Sequence, residues 1–445
     1  MPSGTTKATV GREPAKRSGS VLSALQNRDF RTLWAGSFAS NIGTWMQNVA
    51  IGPYALALSK SPAHPRGSAT FVAFVGLAQL GPVLVFAMVG GVLANRVSRK
   101  RLIICAQSVQ MTFAFILAWL AVAHPTRAAL VFCVLGTGIA NALSAPAYQA
   151  VLPELVERSE LPGVISLNST SLNGSRVIGP LLLLVLRPFG VRTDTAHGLA
   201  AIFVINALTF LFSITAVYVI RMRPNPARPE GGPGAARLFD GIAAARRNPV
   251  AGRILLLLCG FSLVSLVYIS QFPTIVERNL SLSSRSGTYS LLFGAWGLGA
   301  MFGSLAQATA FAALDKRRTI RWSFLAFAVA LAAFALVRSV GPAFPVVFVL
   351  GFFYFGTTTA MMTVLQQHIA DRERAPVMSL WMMAFGGTVP LGGLWGGWAM
   401  DHWSVSGVML IGAAAAVLLA ATSDLYRRSE RMRAVGPAAT DPVFR

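Results

Sequence analysis

The stretch "GGVLANRVSRKRLI", residues 90–103, changes character halfway along. Its first half is apolar and glycine-rich. Its second half packs Arg96, Arg99, Lys100 and Arg101 into six residues. A long apolar run lies on either side, so the switch marks a chain leaving a bilayer, turning, and entering it again. Such runs recur along almost the whole 445-residue chain, which is 54% hydrophobic and only 12% charged, with a mean hydropathy of +0.59. A soluble chain carries about 25% charged residues. A helix of ~20 apolar residues crosses a ~30 Å hydrocarbon core. The chain reads as an all-α integral membrane protein. The short alternating segments of a β-barrel are missing from the pattern.

Twelve spans are expected, at residues 33–59, 69–93, 102–123, 128–151, 163–188, 198–220, 250–276, 288–314, 320–337, 343–367, 376–400 and 405–426. With the N-terminus inside, the inner segments and adjoining span ends hold 29 Lys and Arg and the outer ones 8, and Arg176 lies deep within a span. That asymmetry places both termini in the cytoplasm and the protein in the cytoplasmic or inner membrane. The net charge of +22 follows from these loops, so it points to lipid headgroups and not to nucleic acid. Cys105, Cys133 and Cys259 fall in apolar runs and read as small packing residues. Residues 1–31 are polar and basic, so no cleavable signal peptide is expected there.

The polar break at 221–249 separates the spans six and six. Its Pro/Gly-rich first half is a linker, and 237–247 is predicted to form a short amphipathic helix on the inner surface. The divisions expected are a tail at 1–32, a bundle at 33–220, the linker at 221–249, a second bundle at 250–426 and a tail at 427–445. The bundles carry a repeat. "VISL" at 164–167 matches "VMSL" at 377–380, an offset of 213, and Gly179 maps onto Gly392 at the same offset. "SRKRLI" before span three matches "DKRRTI" before span nine, at an offset of 217. Fused repeats leave such a trace.

Twelve spans in two repeats, with a long central linker, resemble the major facilitator superfamily. Its loop between spans two and three reads roughly G-x-x-x-D-R-x-G-R-[KR]. Gly91, Arg96, Arg99 and Lys100 match, Asn95 stands in place of the acid, and Ser98 in place of the second glycine. "NRDFRTLWAGSFASNIGTWMQNVAIGPYALALSKSP" at 27–62, "LPELVERSELPGVISLNSTSLNGSRVIGP" at 152–180 and "APVMSLWMMAFGGTVPLGG" at 375–393 are similar to the transmembrane secretion effector branch, which includes siderophore and drug exporters. The resemblance implies a fold of two pseudo-symmetric six-helix bundles that rock about a central cavity. It also implies that residue 95 reaches across to span eleven as an inward-side latch. Asn95 accepts hydrogen bonds there without supplying charge; otherwise it is an ordinary residue at the edge of a loop.

Arg176 is the one Lys or Arg expected deep in a span, where a charge costs at least ~2.5–3.5 kcal/mol and must face protein or water. It braces its neighbours through carbonyls and Asn173, attracts an anionic part of a substrate, or serves coupling. Asn41, Trp45 and Asn48 share one face of span one. That face either lines the cavity or glues helices. Asn141, Tyr268, Gln271, Tyr354, Thr358 and Trp381 extend the cavity set. No acid sits mid-span, so Glu154, at the inner end of span four, is the expected coupling residue. A proton antiporter needs a group that titrates differently in two states.

The chain has no G-x-x-x-x-G-K-[ST] loop for an ATP-driven pump. Its five histidines are scattered, with no catalytic or metal-binding constellation, so neither an enzyme nor a cofactor is expected. The expected function is secondary transport of a small molecule, most simply export by proton antiport, by a monomer among membrane lipids. Uptake by the same fold, and a scaffold or lipid-flipping role, are the alternatives.

Overall fold

The structure, a computed structural model, describes residues 21–62, 65–123, 125–157, 159–221 and 234–423. The chain is helical from end to end of these segments. A short helix at Val21–Gln26 leads into α1 (Arg28–Leu58), which is followed by α2, running Ala69–Leu80 and, after Gly81, Pro82–Arg96. Then come α3 (Arg99–Ala123), α4 (Arg127–Val151), α5 (Leu161–Leu186) and α6 (Ala196–Val219). A linker helix covers Gly234–Arg247. It contains the helix expected over 237–247. Next, α7 runs in pieces, Pro249–Gly260, a π-helical turn Phe261–Ser265, Val267–Ser270 and Phe272–Asn279. The remainder is α8 (Gly287–Ala308), α9 (Lys316–Leu336), α10 (Val340–His368), α11 (Asp371–Gly386 and Thr388–His402) and α12 (Val405–Thr422).

Among the described residues, ten helical stretches are long and apolar enough to cross a membrane. The pair Gly241–Arg247 and Pro249–Ser265, bent by 115°, raises the number to eleven. The two departures from the expected twelve are α1 and α7, equivalent positions in the repeat. Asn41, Gln47 and Asn48 stud the middle of α1 and lower its hydropathy. The π-helical turn interrupts α7. Trp395 Nε1 donates to the Leu263 carbonyl inside that turn at 2.7 Å, and Ser265 Oγ donates to Gly412 O at 2.8 Å. In a bilayer an irregular stretch persists only where neighbouring helices satisfy its polar groups.

The repeat is visible in the caps. Asn27 caps α1, accepting from Phe30 N, and its amide donates to Leu155 O at 2.6 Å beyond the end of α4. Asn248 caps α7, accepting from Val250 N and Ala251 N, and donates to His368 O at 2.6 Å at the end of α10. Two helix starts are thus tied to two helix ends by one device used twice. The bundles α1–α6 and α7–α12 meet along two helix pairs that the repeat interchanges, α2 with α11 and α5 with α8.

One end of the molecule carries the Arg96–Arg101 turn, Arg246, Arg247 and Lys316–Arg318. We call it the basic end and the opposite one the far end. Helices that start at the far end are capped by Ser68, Thr126, Thr195, Ser286 and Ser404 side chains. At the basic end, Lys100 Nζ donates to Tyr218 O and Ile220 O, the last carbonyls of α6, at 2.5 and 3.2 Å. A cation at a helix C-terminus is favourable.

Glycines decide where helices touch. A Cβ on Gly299 or Gly303 of α8 would fall against the carbonyl oxygens of Phe348 and Phe352 in α10. This four-residue spacing of small residues is the usual means of close helix approach in lipid. Gly303→Leu is therefore expected to lose the folded, monodisperse protein in fluorescence size-exclusion, since the α8–α10 contact is backbone on backbone. Gly91→Ala is the contrast. Nothing lies within 4 Å of a Cβ there. Its thermal stability should match the parent within about 0.5 kcal/mol. Gly90 is the one that packs closely, since a Cβ there would sit 2.6 Å from Leu143 O of α4.

Candidate transport path and far-end gate

Arg176 lies about fifteen residues, ~22 Å, along α5 from its basic end. Gly179, one turn on, lets α5 press against α1, since a Cβ there would sit 2.8 Å from Met46 N and from Trp45 Cβ. That contact brings the Arg176 guanidinium over the Trp45 ring, 4.8 Å from its centroid. Phe355 of α10 lies against it as well, at 4.3 Å. Arg176 is thus held by aromatic rings from the two bundles, a cation–π arrangement that strengthens as water is removed. Nη1 donates to Asn173 Oδ1 at 3.2 Å, and the buried Nε has no hydrogen-bond partner. No ion pair reaches Arg176 among the described residues.

Beyond Phe355 the wall is aromatic. Tyr354 stacks on Trp296 at 6.0 Å and on Phe385 at 6.3 Å, and Trp296 Nε1 donates to the Tyr268 hydroxyl at 3.0 Å. Tyr268, Tyr354, Thr358 and Trp381 are buried. Asn48 is half-buried and accepts from Gln79 Nε2 at 2.7 Å, which ties α1 to α2. Asn41 is half-buried, and Asn141 is exposed on α4, on the same face as Gln149.

A row of polar residues leads to Arg176. Ser166, Ser169 and Thr170 are exposed and Asn173 half-exposed on one face of α5. Ile165 and Leu172 are exposed on an adjoining face, and Val185 on the opposite side of the helix. Sequence reading named Asn173 and missed the serines and threonine, although their spacing of three and four residues is the helical period. An open groove of about 430 Å³ between α9 and α10 is lined by apolar residues such as Val329, Val349 and Phe353.

At the far end one carboxylate gathers donors from both bundles. Asp401, near the end of α11, accepts from Ala69 N and Thr70 N, each at 2.9 Å, at the start of α2. Ser68 Oγ at 2.9 Å and Thr70 Oγ1 at 2.8 Å donate to it as well, and Arg278 Nη2 of α7 reaches it at 2.6 Å. Arg278 also donates to Met400 O and Gly67 O. Asp401 is 8% exposed and Arg278 13%. Gln271, expected in the cavity, belongs to this seam: fully buried, it donates to Ala69 O at 3.0 Å and accepts from Thr274. Farther out, Lys60 pairs with Glu277 at 3.0 Å, and Thr193 and Arg285 exchange hydrogen bonds of 2.8 and 2.6 Å. Beside Thr193, the hydrogen bond from Arg192 holds the Asp194 carboxyl down at about 2. A depressed carboxylate braces its loop at neutral pH and releases it only as pH falls below the ordinary range toward 2.

At the basic end the residues of the turn work within one bundle. Arg99, buried, forms an ion pair with Glu154 just beyond α4, which joins the expected coupling acid to the turn between α2 and α3. Arg96 is exposed. The Asn95 side chain lies outside the described residues.

The helical architecture, the exchanged α2–α11 and α5–α8 contacts and a lone cation between the bundles define a membrane transporter of the major facilitator type. The chain belongs to the transmembrane secretion effector family, whose model matches residues 19–442. It is 21% identical over 367 residues to the Staphyloferrin A transporter of Staphylococcus aureus, covering 81% of this chain and 87% of that protein. Its fold is that of the nucleoside transporter NupG (TM-score 0.67, 14% identity, 90% of this chain and 99% of that one). An auto-inhibited peptide transporter of the POT family is similar too (0.70, 12%, 94% and 99%). So is a bacterial homologue of the human lysosomal transporter Spinster, inward-facing and unoccupied (0.66, 15%, 93% and 98%).

Proposed function

We propose that this protein exports a small molecule across the cytoplasmic membrane by alternating access of two bundles, 33–220 and 250–426, joined by the linker 221–249. The basic end faces the cytoplasm, with both tails, because Lys and Arg gather in the loops on that side. The observation that carries the reading is the placement of Arg176. It lies at the boundary of the bundles, polar residues of α5 lead to it from the basic end, and the Asp401 seam closes the other end. This arrangement suits a state that loads from the cytoplasm. The family's secretion description and the siderophore transporter among its relatives favour export. An uptake permease would use the same state for release. Accumulation of cargo in inside-out vesicles supports export, and its absence there, with accumulation in right-side-out vesicles, supports uptake.

Proton coupling is assigned to Glu154. Its ion pair with Arg99 ties the end of α4 to the start of α3, and a proton on the carboxylate removes the charge that holds it. Glu154→Gln should abolish cargo movement driven by an imposed pH gradient while leaving exchange down a cargo gradient within a few-fold of the parent. Full gradient-driven transport by that variant removes Glu154 from the mechanism. Trp45, Asn41, Asn48, Asn141, Tyr268, Tyr354, Thr358 and Trp381 are proposed to frame the path, and Gly91, Asn95, Arg96, Arg99 and Lys100 to form the cytoplasmic turn that moves with α2. The working unit is a monomer.

A further inference from the structure

We propose that the cargo is a monoanion, a carboxylate attached to an aromatic or flat apolar body, held by Arg176 with its ring against the half-buried Trp45, Phe355 and Phe385. The proposal rests on Arg176 facing the transport path and adds the chemical class that the path accepts.

The first argument is charge. Arg176 lies about halfway along α5, and no acid among the described residues pairs with it. The described acids nearest the path, Glu154 at one end and Glu277 and Asp401 at the other, are each engaged with a different base. An uncompensated charge in a low-dielectric region is costly, and a bound anion removes that cost. One cation balances one negative charge. A dianion would carry an unmatched charge into the same region, and a cation would meet repulsion with no carboxylate to offset it.

The second argument is geometry. The planar guanidinium is held by two rings, its carbon 4.8 Å from the Trp45 centroid and 4.3 Å from that of Phe355. The remaining donors lie in that plane, along its edge. Asn173 takes one, and Nε is buried without a partner. A planar fork with spare in-plane donors matches the two oxygens of a carboxylate. The third argument is the surroundings. Phe355 and Phe385 are half-buried and backed by the buried Tyr354 and Trp296, and flat rings bind such partly open aromatic groups in offset or edge-on contact.

The test uses purified protein in nanodiscs and three ligands of one shape: 2-naphthoate, neutral 2-naphthamide and the cation 2-naphthylmethylammonium, titrated by calorimetry at pH 7.5. The parent should bind naphthoate at least ten-fold more tightly than the amide and show no binding of the ammonium compound. Arg176→Gln should bring the naphthoate-to-amide ratio close to one, and Arg176→Lys should leave it in between. Equal binding of acid and amide by the parent, no naphthoate binding, or an unchanged ratio in Arg176→Gln would overturn the assignment. The parent's own ratio decides the matter even if Arg176→Gln does not fold. Side-alternating accessibility of position 173 is independent of this outcome, so a transporter with another cargo class is distinguishable from a protein that does not transport.

Discussion

Asp401→Ala is expected to unlatch the far end. The carboxylate gathers two backbone N–H groups, two hydroxyls and the Arg278 guanidinium, all at 2.6–2.9 Å. Removing it leaves the Ala69 and Thr70 N–H groups without their acceptor and Arg278 without its ion pair, with only the Ser68 cap left on the start of α2. Truncating one partner of a buried, hydrogen-bonded charge pair costs roughly 2–5 kcal/mol. At about 1.4 kcal/mol per factor of ten, the ratio of far-end-closed to far-end-open molecules should fall at least about thirty-fold. Asp401→Asn should do much the same, because an amide oriented to accept from one N–H turns its own donors toward the others. Spin labels at the far ends of α2 and α11 would show a narrow, short distance in the parent and a broad, longer one in either variant. An unchanged distribution would make Asp401 a static brace.

Arg176→Ala should reduce naphthoate efflux from proteoliposomes, at equal protein incorporation, by roughly ten- to a hundred-and-fifty-fold. That is the range for losing a charge-assisted hydrogen bond of about 1.5–3 kcal/mol. Arg176→Lys should recover little of it. A lysine keeps the charge but loses the planar fork that Trp45 and Phe355 hold in place. Efflux by the lysine variant equal to the parent would show that charge alone matters. Parental efflux by the alanine variant would remove Arg176 from the path.

Much of the fold was legible because lipid imposes a simple pattern. Long apolar runs, the gap at 221–249 and the 213-residue offset are properties of the chain alone. The two helices that resist simple counting are α1 and α7. In α1 the polar residues that dilute the run are Asn41, Gln47 and Asn48. Gln47 accepts from Asn206 of α6 at 2.8 Å, which is helix-to-helix glue. In α7 the break depends on Trp395 and Ser265 reaching across to other helices, and no local sequence signal specifies those partners.

The site was half legible. Arg176 stands out as the single basic residue deep in an apolar run. Trp45 is on the face where it was sought, but Phe355 comes from the other bundle, and only tertiary packing brings it over the guanidinium. Gln271 reads as a cavity residue because a buried amide is polar wherever it sits. Its actual partner is a carbonyl 202 positions away. The gate itself left a signal. Asp401 is the penultimate residue of its helix, where a negative charge opposes the macrodipole of its own helix. An acid placed there must serve something else, and here it serves the N-terminus of α2.

Alternating access through the path beside Arg176 is tested most directly by a single cysteine. Asn173→Cys is placed one turn from Arg176, in a chain whose Cys105, Cys133 and Cys259 are replaced, and a membrane-impermeant maleimide is applied to one side at a time. The account predicts labelling from the cytoplasmic side in the resting protein, and at least ten-fold faster labelling from the outside once Asp401→Ala is added. Labelling from the outside at the same rate with and without Asp401, or no labelling from the cytoplasmic side, would contradict it.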